Sequence, residues 1–425
     1  MNSNQCSKPI SSTGQSTEDA RSDPAKTVRY RNSGAIQVLL AVIINALCIF
    51  PSFLAGATAS VIAAELHLDA VTLGFAISGF WLVASVAAYP MASRANRWGA
   101  VRALRVASPI SFLMCVLLAC GARSAGTLVI MLALAGCAPA LATPAVNMVI
   151  MSSVQVRRRS TAFAVASTSP VFALMMAGIV GSALESVIGW RALFVLSGIT
   201  VLLISLFVAD VVEKQPGVEK HRTGVVVEPE SNSATTPLRP LVVMMVGVLA
   251  GNIALGAATA FMVTAANTAG MDLDRAALAV SAGAGASIVL RLLCAEVVDR
   301  RGWDPFPLCW LMMLTGAVGF ALLASTTSWT YLLGLVLVLG PGWSWISLLV
   351  HGVMCRYPHA VAPASGIVQT AYFIGGVLGP AAMGILVATS SFSAAWWTLC
   401  AADIIAALFV VFGGRRLPRF VSPRV

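Results

Sequence analysis

Long apolar runs separated by short polar ones recur along this chain, and the length of the runs is more informative than any period within them. A helix needs about 20 residues, at ~1.5 Å each, to cross ~30 Å of hydrocarbon. Twelve runs meet that requirement: 36–62, 71–92, 103–121, 126–151, 161–184, 192–210, 241–266, 275–298, 306–325, 330–354, 364–388 and 394–413. They predict twelve transmembrane helices joined by short loops. Two stretches break the pattern. Residues 1–34 are rich in Ser, Thr and Gln, lack the apolar core of a signal peptide and read as a disordered tail. Residues 211–240 carry Pro216, Pro229, Pro237 and Pro240 among Glu, Lys, Ser and Thr, and read as a flexible linker. The expected organisation is a six-helix bundle over 35–210, a second over 241–414, and a short tail over 415–425.

Composition agrees with a lipid environment. At 58% hydrophobic and 10% charged, with mean hydropathy +0.87, the chain has too much apolar surface for one water-soluble core. Charge then orients it. With twelve spans both termini share one face, and the loops and tails of that face hold 23 of the 27 lysines and arginines. The opposite face holds Arg123, Arg191 and Arg275, and Arg291 alone falls within a span. Basic residues favour the cytoplasmic side of short loops, so both termini are expected in the cytoplasm and the protein in the cytoplasmic membrane. The net charge of +10 is the sum of those loops and implies no nucleic-acid partner.

Catalytic chemistry is poorly represented. Seven of the nine cysteines lie singly inside spans, the four histidines are His67, His221, His351 and His359, and no pair has metal-ligand or redox spacing. No cofactor or metal is expected. The P-loop pattern G-x-x-x-x-G-K-[ST] is absent, so ATP is not implied, and no clustered histidines or nucleophile with its base suggest an enzyme.

The halves are related. Asn96-Arg97-Trp98-Gly99 precedes Asp299-Arg300-Arg301-Gly302 by 203 residues, Gly181 precedes Gly384 by the same interval, and Ala57-Thr58-Ala59 precedes Ala258-Thr259-Ala260 by 201. A nearly constant offset at matching places in two six-span halves indicates duplication. Six plus six spans with a cytoplasmic linker, a parallel repeat and a short basic D-R-x-G loop after the second span of a half resemble the major facilitator superfamily of secondary transporters. The resemblance covers about 35–414 and includes Gly189-Trp190-Arg191, Gly342-Trp343-Ser344-Trp345 and Gly379-Pro380. It implies an all-α membrane protein of two six-helix pseudo-repeat bundles, working by alternating access. It also implies a gate at the basic face formed by Asn96, Arg97 and Gly99 in one half and Asp299, Arg300 and Gly302 in the other. The first copy has asparagine where the family has aspartate, which leaves hydrogen bonding without charge. Tight turns at Gly99 and Gly302 are the simpler reading.

Arg291 is the unusual residue. It lies eight residues, ~12 Å of helix, from Asp299, which puts it near the membrane midplane. A buried arginine faces the bundle interior or a wet cavity, and its planar fork suits a carboxylate. The spacing Arg291-x-x-x-Ala295-x-x-x-Asp299 is similar to that of monocarboxylate-type porters, which implies contact with an organic anion. An internal ion pair or carbonyl-capping role competes with that reading. Asp403, at similar depth in the last span, is read either as a partner for Arg291 or as a protonatable group that couples transport to protons. His351 is a second titratable candidate. Asn45, Asn252, Gln369, Tyr372 and Trp345 are the remaining candidate solute contacts, although intramembrane amides often only join neighbouring helices, and Trp343 and Trp345 are read either as cavity wall or as packing. The expected function is secondary transport of a small organic anion, a carboxylate foremost, in symport with protons by a monomer. The alternative is a proton-driven drug or metabolite exporter. Such exporters resemble this chain less, because the fourth span lacks arginine and the fifth has Ala177-Gly178 where Gly-Pro is expected.

Overall fold

The computed structural model describes residues 24–154, 159–213, 239–266, 269–301, 303–325, 327–357 and 361–417. Gly302, most of the linker and residues 1–23 and 418–425 lie outside the described residues. Fifteen α-helices and no strand are found among the described residues. In the first half they are α1 (Pro24–Ala57), α2 (Ala59–Leu66), α3 (Ala70–Trp98), α4 (Ala100–Gly121), α5 (Ala125–Ala135), α6 (Cys137–Ser153), α7 (Arg159–Ala166) and α8 (Ser169–Glu213). The second half comprises α9 (Arg239–Ala266), α10 (Leu273–Arg301), α11 (Phe306–Leu323), α12 (Ser328–Leu339), α13 (Pro341–Arg356), α14 (Val361–Thr389) and α15 (Phe392–Arg416).

Fifteen helices come from twelve crossings because breaks and fusions do not follow the loops. The first, fourth, fifth and tenth spans are each interrupted within their length, whereas α8 contains two crossings joined at Gly189 (φ 76°). Among the described residues eleven apolar stretches are long enough to cross a membrane, and the 43-residue stretch Ala164–Leu206 is long enough to span it twice. The fourth and tenth spans break at Gly136 and Gly340, 204 residues apart, so the duplicated halves share this feature in three dimensions. In the tenth span Pro341 lacks the N–H needed to continue the helix and opens α13 instead. One boundary differs from expectation: α1 begins at Pro24, inside the stretch read as tail, and a proline suits a helical first turn.

Local chemistry fixes the starts of several helices. The Asp69 carboxylate accepts from the Thr72 amide of α3 at 2.9 Å, and hydrogen bonding from the Thr72 side chain and then from this amide holds its pKa below the usual carboxylate value. Ser124 and Thr127 form a reciprocal capping box on α5, and Ser391 accepts from the Ala394 amide at the start of α15. At Gly99, between α3 and α4, φ is 85°; an added Cβ would meet nothing, so the backbone angle is what requires glycine there.

Three apolar clusters show how the bundles meet. One, around Leu141, Val146 and Ile150, belongs to the first half, and another, around Met244, Trp345 and Val410, belongs to the second. Both lie toward the face that carries the basic loops. The third joins the halves at the opposite face, through Phe53, Ile77, Phe261 and Met383. Helix backbones approach closely there. A Cβ on Gly56 would lie 3.2 Å from the Ala260 carbonyl oxygen, and one on Gly178 2.5 Å from the Ala277 carbonyl oxygen. The α3–α14 crossing is similar: a Cβ on Gly384 would lie 3.1 Å from Val71 Cα, and the Ala381 amide donates to Ser78 Oγ at 2.9 Å. The space between the halves is therefore sealed on the side away from the basic loops.

Candidate functional site

Beneath that seal lies a cavity of about 30 Å³ bounded by both halves. This is room for roughly one water. Phe53 of α1 and Trp81 of α3 come from the first half; Asn252 and Thr259 of α9, Trp343 of α13 and Tyr372 of α14 come from the second. The Phe53 ring stands edge-on to Trp81 (centroids 6.2 Å apart) and to Trp343 (6.1 Å). Trp343 reaches this position because Pro341 restarts the tenth span just before it, so the first turn of α13 faces the cavity.

Arg291 lies behind Trp343. It is only 1% exposed, and its guanidinium sits 5.6 Å from the Trp343 ring centroid. Nη1 donates to the Ser167 carbonyl at 2.8 Å, where α7 gives way to α8, and Nη2 donates to the Trp343 carbonyl at 2.5 Å. One side chain thus reaches carbonyls beside breaks in two spans, one in each half. Its Nε is buried without a hydrogen-bond partner. No acid pairs with it among the described residues, and Tyr372 is close enough for the two groups to interact electrostatically. A positive charge in low-dielectric surroundings is felt strongly across the adjoining cavity wall.

Asp403 does not neutralise Arg291. It lies on α15, 2% exposed, with Oδ2 only 2.6 Å from where a Cβ on Gly316 of α11 would stand. The correction to the proposed ion pair has a geometric cause: α15 packs on α9 and α11 at the outside of its bundle, whereas Arg291 points inward to α13 and α7. Gly316 in turn touches Gly342, the residue before Trp343, so Asp403 is two contacts away from the cavity wall.

The other expected residues separate into several groups. Asn252 and Tyr372 line the cavity, and the Asn252 amide donates to the Tyr372 carbonyl, which joins α9 to α14. Asn45 is buried and accepts from Thr143 Oγ1 at 2.9 Å, a link between α1 and α6. Trp345 is fully buried in the core of the second half, against Gly251, and does not reach the cavity. Two residues along a helix turn ~200°, so Trp343 and Trp345 face opposite ways. Gln369 lies on α14 with its side chain outside the described set. His351 is half-buried on α13 beside Cys355 Sγ (3.6 Å), toward the basic-loop face.

At the gate, Asn96 and Arg97 are exposed. Arg300, also exposed, donates to Glu296 on its own helix at 2.5 Å, and the side chain of Asp299 is outside the described set. A half-buried ion pair stands nearby instead. Arg356, at the end of α13, donates to Asp304 Oδ2 at 2.6 Å and stacks 4.2 Å from the Phe306 ring centroid. It fastens the loop after α10 to the tenth span.

A different polar knot closes the far side of the first half. Glu65 accepts from Trp190 Nε1 at 2.5 Å and pairs with Arg191, while Arg191 Nη2 donates to the Ala122 carbonyl at 3.0 Å. The Trp190 and Arg191 hydrogen bonds hold the Glu65 carboxyl below its ordinary pKa. A depressed folded-state value means that the knot contributes fully above the unfolded carboxyl range and is lost as pH falls through the folded value. Because the Glu65 and Arg191 side chains are 44% and 37% exposed, the contribution is under ~1 kcal/mol. Glu65→Gln is expected to reduce the loss of thermal stability between pH 7 and pH 4, measured by melting in detergent. An unchanged difference between the two pH values would show that the knot is energetically silent.

Phe53, Trp81, Thr259 and Trp343 form much of the wall, yet apolar and hydroxyl side chains inside an apolar span carry no sequence signal of their own. The one available cue was Trp343 beside the Pro341-Gly342 break.

Two broken-helix bundles around a central cavity are the architecture of a solute transporter. The chain belongs to the Major Facilitator Superfamily, whose family model matches residues 41–379. It is a multi-pass membrane protein that carries a small-molecule solute, and it is a transporter rather than an enzyme. Solved structures share the fold. A bacterial homologue of the human lysosomal transporter Spinster, inward-facing and occupied, has TM-score 0.68 at 15% identity, covering 93% of this chain and 98% of that one. The nucleoside transporter NupG has TM-score 0.67 at 16% identity, covering 88% and 99%. Among curated proteins none matches the chain.

Proposed function

We propose that this protein moves a small organic anion, a carboxylate foremost, across the cytoplasmic membrane by alternating access coupled to protons, with both termini in the cytoplasm. The observation that carries the reading is Arg291, a buried cation beside the central cavity with no acid among the described residues to neutralise it. An anionic solute supplies the missing charge. The clustered basic loops support the orientation. The gate residues Asn96, Arg97, Gly99, Asp299, Arg300 and Gly302 are assigned to closure of the cytoplasmic face. The test is uptake into proteoliposomes of short carboxylates and of hydrophobic cations by the wild type, Arg291→Lys and Arg291→Ala. Carboxylate uptake lost in Arg291→Ala supports the reading; uptake at normal affinity in that variant, or transport of cations alone, sinks it.

Proton coupling is assigned to Asp403, with His351 as the second candidate. Asp403 abuts the Gly316–Gly342 crossing beside the break in the tenth span, and Cys400 on its own helix is near enough to interact with it. Asp403→Asn is expected to abolish pH-gradient-driven accumulation while solute counterflow persists. Accumulation at the wild-type level in that variant removes Asp403 from the coupling, and His351→Gln then becomes the decisive variant.

A further inference from the structure

The fifth span breaks where the chain runs Ser167-Thr168-Ser169-Pro170, between α7 and α8. Pro170 has no N–H to give the Ala166 carbonyl, and Ser169 Oγ donates to that carbonyl instead at 2.9 Å. The Ser167 and Thr168 hydroxyls likewise donate to the Ala164 and Val165 carbonyls, at 2.7 and 2.6 Å. The helical ladder resumes with the Phe172 amide on the Thr168 carbonyl at 2.8 Å. The Ser167 carbonyl lies one residue short of that bond, and the guanidinium that reaches it belongs to the other half.

The break in the tenth span is held from α10. Ser287 and Arg291 stand one turn apart on that helix, and both meet the first turn of α13. The Ser287 and Ser344 hydroxyls are 3.1 Å apart, Ser344 Oγ donates to the Gly340 carbonyl at 2.6 Å, and Arg291 Nη2 donates to the Trp343 carbonyl at 2.5 Å. The far end of α13 is fastened to the loop after α10 by Arg356 and Asp304. The second half thus straps α13 to α10 at its start and to the loop after α10 at its end, and Arg291 extends that joint to the first half. The 203-residue interval that relates the halves carries Arg291 back to Ala88, so the repeat does not duplicate this tie.

We infer that Arg291 is a positioning residue that couples the break in the fifth span to the break in the tenth, so that the angle between α7 and α8 in one half sets the place of Trp343 in the cavity wall of the other. Two features give the tie this property. Both acceptors are main-chain carbonyls, so a shift at either break moves backbone that the guanidinium holds. The guanidinium is planar with its donors in a fixed fork, so it does not follow one carbonyl without pulling on the other. Trp343 then carries the shift into the cavity, because its carbonyl is held by Arg291 while its ring forms part of the wall. The inference goes beyond the choice of solute, since an anion and a neutral solute would meet the same tie.

The experiment is amide hydrogen exchange of the full chain in lipid nanodiscs, read by mass spectrometry without solute, so that its failure leaves the anion reading to the uptake assay. Pro170→Ala supplies the missing N–H and mends the fifth span. That change is expected to speed exchange over residues 341–350, in the other half, by at least about fivefold, the lower end of ordinary coupling between sites. In an Arg291→Met background, which removes the donors, the same change is expected to alter 341–350 by less than about twofold. Coupling is reciprocal, so Pro341→Ala is expected to alter exchange over 164–172 in the presence of Arg291 and to leave it unaltered in Arg291→Met. If Arg291→Met does not fold, Arg291→Lys takes its place: its single ammonium holds one carbonyl at a time, and the coupling is expected to be lost with it. No change over 341–350 in Pro170→Ala overturns the inference. An equal change with and without Arg291 also overturns it, because the breaks then communicate by another route. A rise spread evenly over all helices, the α3–α14 crossing included, overturns it as well, because that is general loosening.

Discussion

Gly74→Leu is expected to reduce transport at least tenfold by preventing the face opposite the basic loops from closing. At the α3–α14 crossing a Cβ on Gly74 would lie 3.1 Å from the Pro380 carbonyl carbon and 3.3 Å from Ala381 Cα. Both are backbone atoms and cannot swing aside as the end of a side chain can. Forcing a larger group into such a contact costs about 1–3 kcal/mol. That cost applies only to the conformation in which α3 meets α14, so it biases one state against the other and leaves each bundle intact. A bias of about 3 kcal/mol changes the balance of states by roughly a hundredfold. Two measurements check this. Solute uptake should fall while the size-exclusion profile stays normal. An impermeant maleimide applied from that face should label Leu255→Cys, in the cavity wall, faster in the Gly74→Leu background. Wild-type uptake and labelling in Gly74→Leu would mean that this crossing does not gate the cavity.

Arg291→Ala is the second large effect, and it has two parts. Removing the guanidinium takes a donor from the Trp343 carbonyl and leaves the Ser167 carbonyl, between α7 and α8, without its Arg291 hydrogen bond. A buried acceptor left unpaired costs about 1–3 kcal/mol, so the melting temperature of a chain this long is expected to drop by roughly 1–4 °C. The second part is functional: the positive charge beside the cavity disappears, and carboxylate uptake falls at least tenfold. Arg291→Lys separates the two. Lysine keeps the charge, but a single ammonium does not span two carbonyls as the planar fork does. It is expected to recover part of the uptake and little of the stability. Stability and uptake both unchanged in Arg291→Ala would dissociate this residue from the two roles together.

The same side chain shows where reading the chain ended and the structure began. Position 291 stands out in one dimension because an ionised group inside an apolar run is expensive, and it was read as facing either a solute or an internal partner. In three dimensions its two Nη groups are committed to carbonyls, which places it one layer behind the solute cavity, with its charge rather than its hydrogen bonds available to the cavity. Trp345 shows the complementary failure. A tryptophan in a glycine-rich span is conspicuous, yet only the phase of α13 decides that Trp343 faces the cavity and Trp345 the core. Asp403 was visible as a deep acid, but its separation from Arg291 follows from the packing of α15 on the outside of the bundle.

By itself the sequence determined that the chain crosses the membrane twelve times in two related halves, because crossing hydrocarbon requires run length and charge placement, both of which are local properties of the chain. It also fixed the family, through spacings that recur between the halves. Only the tertiary structure decided which polar residues converge. The cavity is built from five separate helices, half of its lining residues are aromatic side chains indistinguishable from core in one dimension, and Gly256 and Gly376, 120 residues apart, meet only where their helices cross. Burial, phase and backbone contact between distant segments are properties of packing, and they appear only once the helices have been brought together.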